Sequence, residues 1–187
     1  VIEDFSHKLP VIVICDMLGI PEEDRAQFLS GYRVSGRAID PTPMTQAELD
    51  QVNANILAGR AYFKTLFDRR RKEPGDDLTS ALLQVQDEKD GRLSEDELFA
   101  NISLLFAAGH ETTTNLIGNG LLALHRNLDQ WEKLVANPDL ASSAVEELLR
   151  YDSSVQLTSR KASEDIEIGG QQIKRGDEVI CLLGAGN

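Results

Sequence analysis

The chain has 187 residues, 41% of them hydrophobic, and a formal net charge of −12 at pH 7. This length and apolar fraction are ample for one domain with its own core and exclude a disordered chain. The acidic balance argues against nucleic-acid binding, because phosphate contacts require clustered Lys and Arg.

The spacing of apolar residues predicts a mainly α chain with a small β region at its C-terminal end, an α+β fold. Helices are expected over residues 8–20, from Pro21 to about Gly36, from about Thr45 to Lys72 and over about 77–86. The first of these is nearly all apolar and is expected to be buried. Residues 36–46, which contain an Asp-Pro-Thr-Pro break, are expected to form a mobile lid between two helices.

The basic run Arg69-Arg70-Arg71-Lys72 closes the third helix and has two interpretations. Cations in a last turn complement the helix dipole, so a solvated helix end is the simpler one. Docking of an acidic protein partner is the other.

A capping box, Ser94-Glu95-Asp96-Glu97, begins a long central helix of about 94–127. Asp129 and Asn137-Pro138 begin two more helices. Beyond Tyr151 strands follow: Ile166 to Gly170 is typical of a hairpin, and Val179 to Leu183 predicts a strand buried on both faces. We expect one incomplete domain over 1–187, helical over 1–151 and β-rich over 152–187.

Residues 108–113, Ala-Gly-His-Glu-Thr-Thr, break the usual rules for a helix interior. Gly costs about 1 kcal/mol relative to Ala there. The Thr112 hydroxyl can bond back to the carbonyl of Ala108 and bend the helix. Such irregularity tends to mark functional sites, and the missing side chain at Gly109 leaves room for something flat and bulky beside an acid and an alcohol.

This run resembles the oxygen-binding helix of the cytochrome P-450 family of haem-thiolate monooxygenases. Two further motifs follow in the family's order: Glu147-Leu148-Leu149-Arg150, its Glu-x-x-Arg, and Leu157 to Ala162, the stretch whose Arg meets a haem propionate. The turn at Pro74 to Leu78 and the segment from Leu9 to Pro21 also look like bacterial members. The resemblance covers essentially the whole chain and implies part of the cytochrome P-450 fold.

The resemblance implies catalytic roles for Glu111 and Thr112, which would relay protons to bound dioxygen. It also implies haem b, iron protoporphyrin IX, against Ala108, Gly109 and Thr112. Arg160 would bind a propionate, although a plain edge-strand Arg is the alternative.

Glu147 and Arg150 would form a buried structural pair, the alternative being an exposed one of little energetic value. We expect Leu105, Ala108, Glu111 and Thr112 to line one substrate cavity together with the strand residues Gln156, Leu157 and Thr158.

No metal ligand is assigned in this chain, because the family's axial Cys lies in a loop beyond the Arg strand. We therefore expect an internal piece of a longer protein that is inactive alone. Cys15 and Cys181 have apolar surroundings, where buried, inert thiols are usual. His110 lacks the second His that the zinc-protease motif needs at position 114, so a non-catalytic side chain is expected.

The implied function is insertion of one oxygen atom from dioxygen into a small apolar or amphipathic substrate. Electrons would come from NAD(P)H through a ferredoxin or flavoprotein reductase. The alternative is a cofactor-free helical interaction domain that retains relic motifs. No apolar stretch reaches the roughly 20 residues of a membrane span, and Asp16 interrupts the first apolar run, so a cytoplasmic location is expected.

Overall fold

The structure, a computed structural model, describes residues 2–26, 43–87 and 93–186. The described residues form six α-helices and four strands. The helices are α1 Lys8–Met17, α2 Gln46–Lys72, α3 Leu78–Asp87, α4 Glu95–Arg126, α5 Leu128–Ala136 and α6 Ala141–Tyr151. The strands are β1 Leu157–Lys161, β2 Ile166–Ile168, β3 Gln171–Ile173 and β4 Glu178–Leu182. The predicted mainly α chain with a small C-terminal β region is confirmed.

Two compact units divide the chain at residues 114 and 115, within α4. The single domain and the boundary at residue 151 stay predictions. Of the predicted second helix, only the stretch up to residue 26 is described, where a 3₁₀ turn covers Glu22–Asp24. The lid predicted over 36–46 lies outside the described residues as far as residue 42.

Helices α1 to α4 build the core of the first unit around three phenylalanines, Phe63 and Phe67 from α2 and Phe106 from α4. Helix α1 contributes Val11, Ile14 and Cys15, all buried. The prediction that this helix is buried all round is wrong for the described residues. Its opposite face is between 41% and 53% exposed at Leu9, Ile12, Val13 and Met17. The reason is that the other helices of the unit pack against one side of it.

Local signals set the helix ends. The predicted capping box is present at α4, where the Glu97 amide donates to Ser94 Oγ and the Ser94 amide donates to the Glu97 carboxylate. A second capping box, which the sequence analysis did not identify, joins Thr45 and Glu48 at the start of α2. Each box satisfies amides that the helix itself leaves unpaired.

Arg70 and Arg71, two of the cations at the end of α2, bind to other parts of the described chain. Arg70 Nε lies 2.9 Å from the buried carboxylate of Asp77, and Nη2 donates to the Gly19 carbonyl at 2.9 Å. Arg71 Nη2 donates to Gln86 Oε1 at 2.7 Å. These contacts tie α2 to α3 and favour the helix-end interpretation over a docking site.

The second unit contains α5, α6 and two antiparallel strand pairs, β1 with β4 and β2 with β3. The predicted hairpin is confirmed, because Gly169 and Gly170 adopt φ values of 58° and 77° in the two-residue turn between β2 and β3, as a type I′ turn requires. The prediction that β4 is buried on both faces is wrong, since Ile180 and Leu182 are exposed and β1 is its one described neighbour.

The last part of α4 packs with α5 and α6 around a cavity of about 490 Å³. Gly120 permits this approach, since a Cβ there would lie 2.8 Å from a methyl of Leu148. Among the described residues, no helix is long and apolar enough to cross a membrane.

Candidate functional site

Helix α4 runs through the Gly-His-Glu-Thr segment without a break. The Thr112 hydroxyl donates to the carbonyl oxygen of Ala108 at 2.6 Å, which confirms the predicted back-bond. Its hydrogen is thereby directed to the backbone, and its oxygen can still accept a hydrogen bond from a neighbouring group. The side chain of Thr112 is therefore held in one orientation.

The two faces of this part of α4 differ in exposure. One face is buried and consists of four residues spaced four positions apart: Leu98, Ile102, Phe106 and His110. On the other side, Leu104 is 63% exposed and Leu105 is 39% exposed. Ala108 and Glu111 are also exposed there, and Thr112 is half-buried. An apolar stripe carrying one carboxylate and one hydroxyl therefore lies on the surface of this unit.

Gly109 makes a packing contact that its sequence did not indicate. A Cβ at this position would lie 3.0 Å from Cδ1 and 3.2 Å from Cγ1 of Ile14 on α1. Real Cβ contacts are rarely that short. The missing side chain therefore lets helix α1 approach closely. The haem contact expected at Gly109 stays a prediction.

His110 is buried, 6% exposed, and its Nε2 lies 3.1 Å from Nδ1 of His7. Burial lowers the pKa of His110, and the charge of His7 lowers it further. In the part of the chain that the structure describes, no group of three or more potential metal ligands occurs. Sequence reasoning missed the partner because the two histidines are 103 positions apart and no periodicity connects them.

Glu147 and Arg150 form the predicted ion pair one helical turn apart on α6. Arg150 donates from Nε and Nη2 to the two carboxylate oxygens, at 2.8 and 2.7 Å. This hydrogen bonding lowers the pKa of Glu147. The expected burial is not observed among the described residues, since both side chains are more than half exposed.

Arg160 lies on β1 and is exposed. Its Nη1 donates to Thr158 Oγ1 at 2.8 Å and to the Ser159 carbonyl at 2.7 Å. It makes no ion pair with any described residue. It lines a small cavity of about 300 Å³ together with Lys161 and Glu178. Its remaining donors can therefore bind a carboxylate.

The other predicted pocket residues of the strand region are also exposed or partly exposed. Gln156 donates from its side chain to the Ser153 carbonyl at 2.5 Å, and Leu157 pairs with Leu182 across the ladder. Thr158 accepts the Arg160 bond. The cavity expected to join these residues to Leu105 and Thr112 stays a prediction, because the two sets belong to separate units.

Neither cysteine is in a disulfide. Cys15 is completely buried, and this burial raises its pKa to about 11. It is therefore a neutral thiol at pH 7, as the sequence predicted for an inert core residue. Cys181 is partly buried on β4.

Comparison with known proteins gives one consistent result. The family model for Cytochrome P-450 matches residues 50–186. The biotin biosynthesis cytochrome P-450 of Bacillus subtilis is 45% identical over 187 residues, a match that covers 100% of this chain and 47% of that protein. The vitamin D(3) 25-hydroxylase of Pseudonocardia autotrophica is 44% identical over 185 residues, 98% of this chain and 44% of that protein.

Among solved structures, P-450 BioI in complex with an acyl carrier protein ligated to hexadec-9Z-enoic acid superposes with a TM-score of 0.91 and 43% identity. That superposition covers 98% of this chain and 47% of the solved one. The chain thus spans about half the length of the curated relatives it matches. It belongs to the cytochrome P-450 family.

Proposed function

We propose that the protein to which this chain belongs is a haem-dependent monooxygenase. It inserts one oxygen atom from dioxygen into a small apolar or amphipathic molecule, with electrons that a ferredoxin or flavoprotein reductase delivers from NAD(P)H. The observation that carries the proposal is the outward face of α4, where a fixed Thr112 hydroxyl and the Glu111 carboxylate lie among exposed apolar residues. The Pseudonocardia relative is named a hydroxylase, which supports the reaction class.

The residues of this chain fit a haem group. A flat porphyrin needs an apolar wall with little relief, and Leu104, Leu105 and the small Ala108 provide one on α4. Its propionates need cationic hydrogen-bond donors, and the guanidinium of Arg160 has N–H donors beyond those on Nη1 that bind Thr158 and the Ser159 carbonyl. We propose that Ala108 and Thr112 contact the ring and that Arg160 binds one propionate. Gly109 supports this wall from behind, through Ile14.

When bound, haem supplies an iron that binds and activates dioxygen. We propose that the thiolate which would hold the haem iron comes from a part of the protein other than the core of this unit, since Cys15 is a protonated thiol there. The Thr112 hydroxyl, held in one orientation by the Ala108 carbonyl, would receive a proton at its Oγ and pass on its own hydrogen, because an alcohol can accept and donate. Glu111, exposed to solvent, would carry protons toward that hydroxyl.

The pocket wall and the substrate class are parts of the same proposal. Leu105 on α4 and Gln156, Leu157 and Thr158 beside β1 would line the substrate site. One solved relative was crystallised with a carrier protein that bears a long apolar acyl chain. An apolar wall of this kind suits a substrate of similar chemistry, and the redox partner would be an iron–sulfur protein or a flavoprotein.

Substitution of Thr112 tests the proposal in the full-length protein. We expect Thr112→Ala to bind haem and substrate normally, but to form at least about tenfold less product per NAD(P)H consumed, since a positioned proton-transfer group contributes that much or more. Hydrogen peroxide should rise correspondingly. Thr112→Ser should retain product formation because it keeps the hydroxyl.

Thr113→Ala is the matched control, because Thr113 is the exposed neighbour on the same helix. It should leave the product yield unchanged. An equal yield from wild type and Thr112→Ala would remove Thr112 from the mechanism. A full-length protein that purifies without haem absorption, and takes none up, would support the cofactor-free interaction domain instead.

A further inference from the structure

Two contacts join α1 to α4 immediately beside the residues proposed to act on oxygen. Ile14 fills the space left by Gly109, and the ring of His7 meets the ring of His110. The two imidazole centroids are 4.8 Å apart and tilted by 59°. Both contacts lie on the side of α4 that faces the core. Glu111, one of the residues proposed to act on oxygen, directly follows His110 in the sequence.

The position of His7 is unusual for its residue type. It occupies the N-cap of α1, where Ser, Thr, Asp or Asn would accept a backbone amide hydrogen, yet its side chain makes no capping hydrogen bond. Its ring is turned instead toward a residue 103 positions later. A stabilising interaction within α1 is therefore replaced by one between α1 and α4.

The chemistry of the pair is that of a hydrogen bond rather than a metal centre. A distance of 3.1 Å between two ring nitrogens requires one to donate and the other to accept. A metal site would need at least a third ligand, and no described group of three such side chains exists. The environment favours a neutral His110 ring, because this ring is buried and packs against Phe106 with 6.4 Å between ring centroids.

We propose that His7 and His110 are positioning residues for the oxygen-binding segment of α4. Their hydrogen bond fixes the rotation of α4 about its axis at residue 110, and hence the direction in which Glu111 and Thr112 point. Glu111 and Thr112 directly follow His110 on the same helix, so a loss of this bond transmits directly to the Thr112 hydroxyl. This proposal rests on the proposed function, but its main test, hydrogen–deuterium exchange, does not depend on monooxygenase activity.

Hydrogen–deuterium exchange of the full-length protein measures the positioning without catalysis. We expect His7→Ala and His110→Leu each to speed exchange in peptides covering 108–114 by about fivefold, the factor that one net hydrogen bond represents. The double variant should be no faster than either single one, because both remove the same bond. His110→Gln should restore slow exchange, since its terminal amide reaches the same place as Nε2.

Ile102→Val is the matched control, because Ile102 lies on the same buried face of α4, eight positions before His110. It should leave exchange over 108–114 unchanged. Unaltered exchange in His7→Ala, or equal exchange in the Gln and Leu variants of His110, would overturn the proposal.

Product formed per NAD(P)H is the second readout. It should fall in His7→Ala and His110→Leu, and be rescued in His110→Gln, in proportion to the exchange rates. A structural role alone would lower the unfolding temperature without this rescue pattern. If the wild-type protein oxidises no substrate, the proposed monooxygenase function fails, and the exchange data still decide the positioning role.

Discussion

The contact between Gly109 and Ile14 predicts the outcome of adding one methyl group to α4. In Gly109→Ala the new Cβ would lie 3.0 Å from Ile14 Cδ1 and 3.2 Å from its Cγ1. Replacing an interior helical Gly by Ala gains about 1 kcal/mol of helix propensity, but overpacking of a core costs about 1–3 kcal/mol. Ile14 is 7% exposed and enclosed by the core, so it cannot swing into solvent. We therefore expect a net loss of about 1 kcal/mol in the free energy of unfolding.

A double-mutant cycle isolates the contact. Ile14→Val alone should cost about 0.5–1.5 kcal/mol by removing Cδ1. Combined with Gly109→Ala, the new methyl occupies part of the space that Cδ1 leaves, so the double variant should be about 1 kcal/mol more stable than the sum of the singles. The assay is guanidinium unfolding of the full-length protein, followed by far-UV circular dichroism and compared at equal denaturant slope.

Gly59 on α2 is the matched control. A Cβ there meets no heavy atom within 4 Å, so Gly59→Ala should gain about 1 kcal/mol from helix propensity alone. If Gly109→Ala gained as much as Gly59→Ala, and its effect added simply to that of Ile14→Val, the steric argument would be refuted.

Three further outcomes are expected. The pKa of His110 is lower in the folded state than its ordinary value of 6.5. The stability that His110 confers is therefore complete above about pH 6.5 and is lost as the pH falls toward the folded pKa. Urea midpoints for wild type should decline in that window, and those of His110→Leu should decline less. Arg160→Leu in the full-length protein should release haem to apomyoglobin faster than Arg160→Lys, and equal rates would contradict propionate binding. Residues 1–187 alone should bind haem weakly and lack the red-shifted carbon monoxide band of a thiolate ligand; if the band appears, Cys15→Ser and Cys181→Ser would identify the ligand.

Features that depend on neighbours in sequence were predicted correctly. Two of these features, the Ser94 capping box and the Thr112 back-bond, join residues no more than four positions apart. The third is the Gly169-Gly170 hairpin, whose turn has a backbone conformation that only Gly adopts readily. Their energetics are local, so the residue types alone indicate them. The Glu147–Arg150 pair belongs to the same group, because one helical turn brings the two side chains together.

Features that depend on what packs against a segment were predicted poorly. The apolar residues of α1 indicated burial, yet only one face is covered, because hydropathy does not reveal how many neighbours a helix has. The same holds for Ile180 on β4. The pairing of His7 with His110 connects residues 103 positions apart, and no local rule relates them.

The irregular residues of the segment proposed to bind oxygen, 108–112, divide between two faces of one helix. Successive residues on an α-helix are about 100° apart, so a run of five cannot all point at one ligand. Gly109 and His110 contact α1, whereas Ala108, Glu111 and Thr112 lie toward the exposed side. Rule-breaking in the sequence thus marked this segment but did not separate the residues that we propose to meet oxygen from those that contact α1. Because each inward residue is adjacent to an outward one, packing against α1 and orientation of the Thr112 hydroxyl are mechanically linked, and a substitution on either face is expected to affect the other.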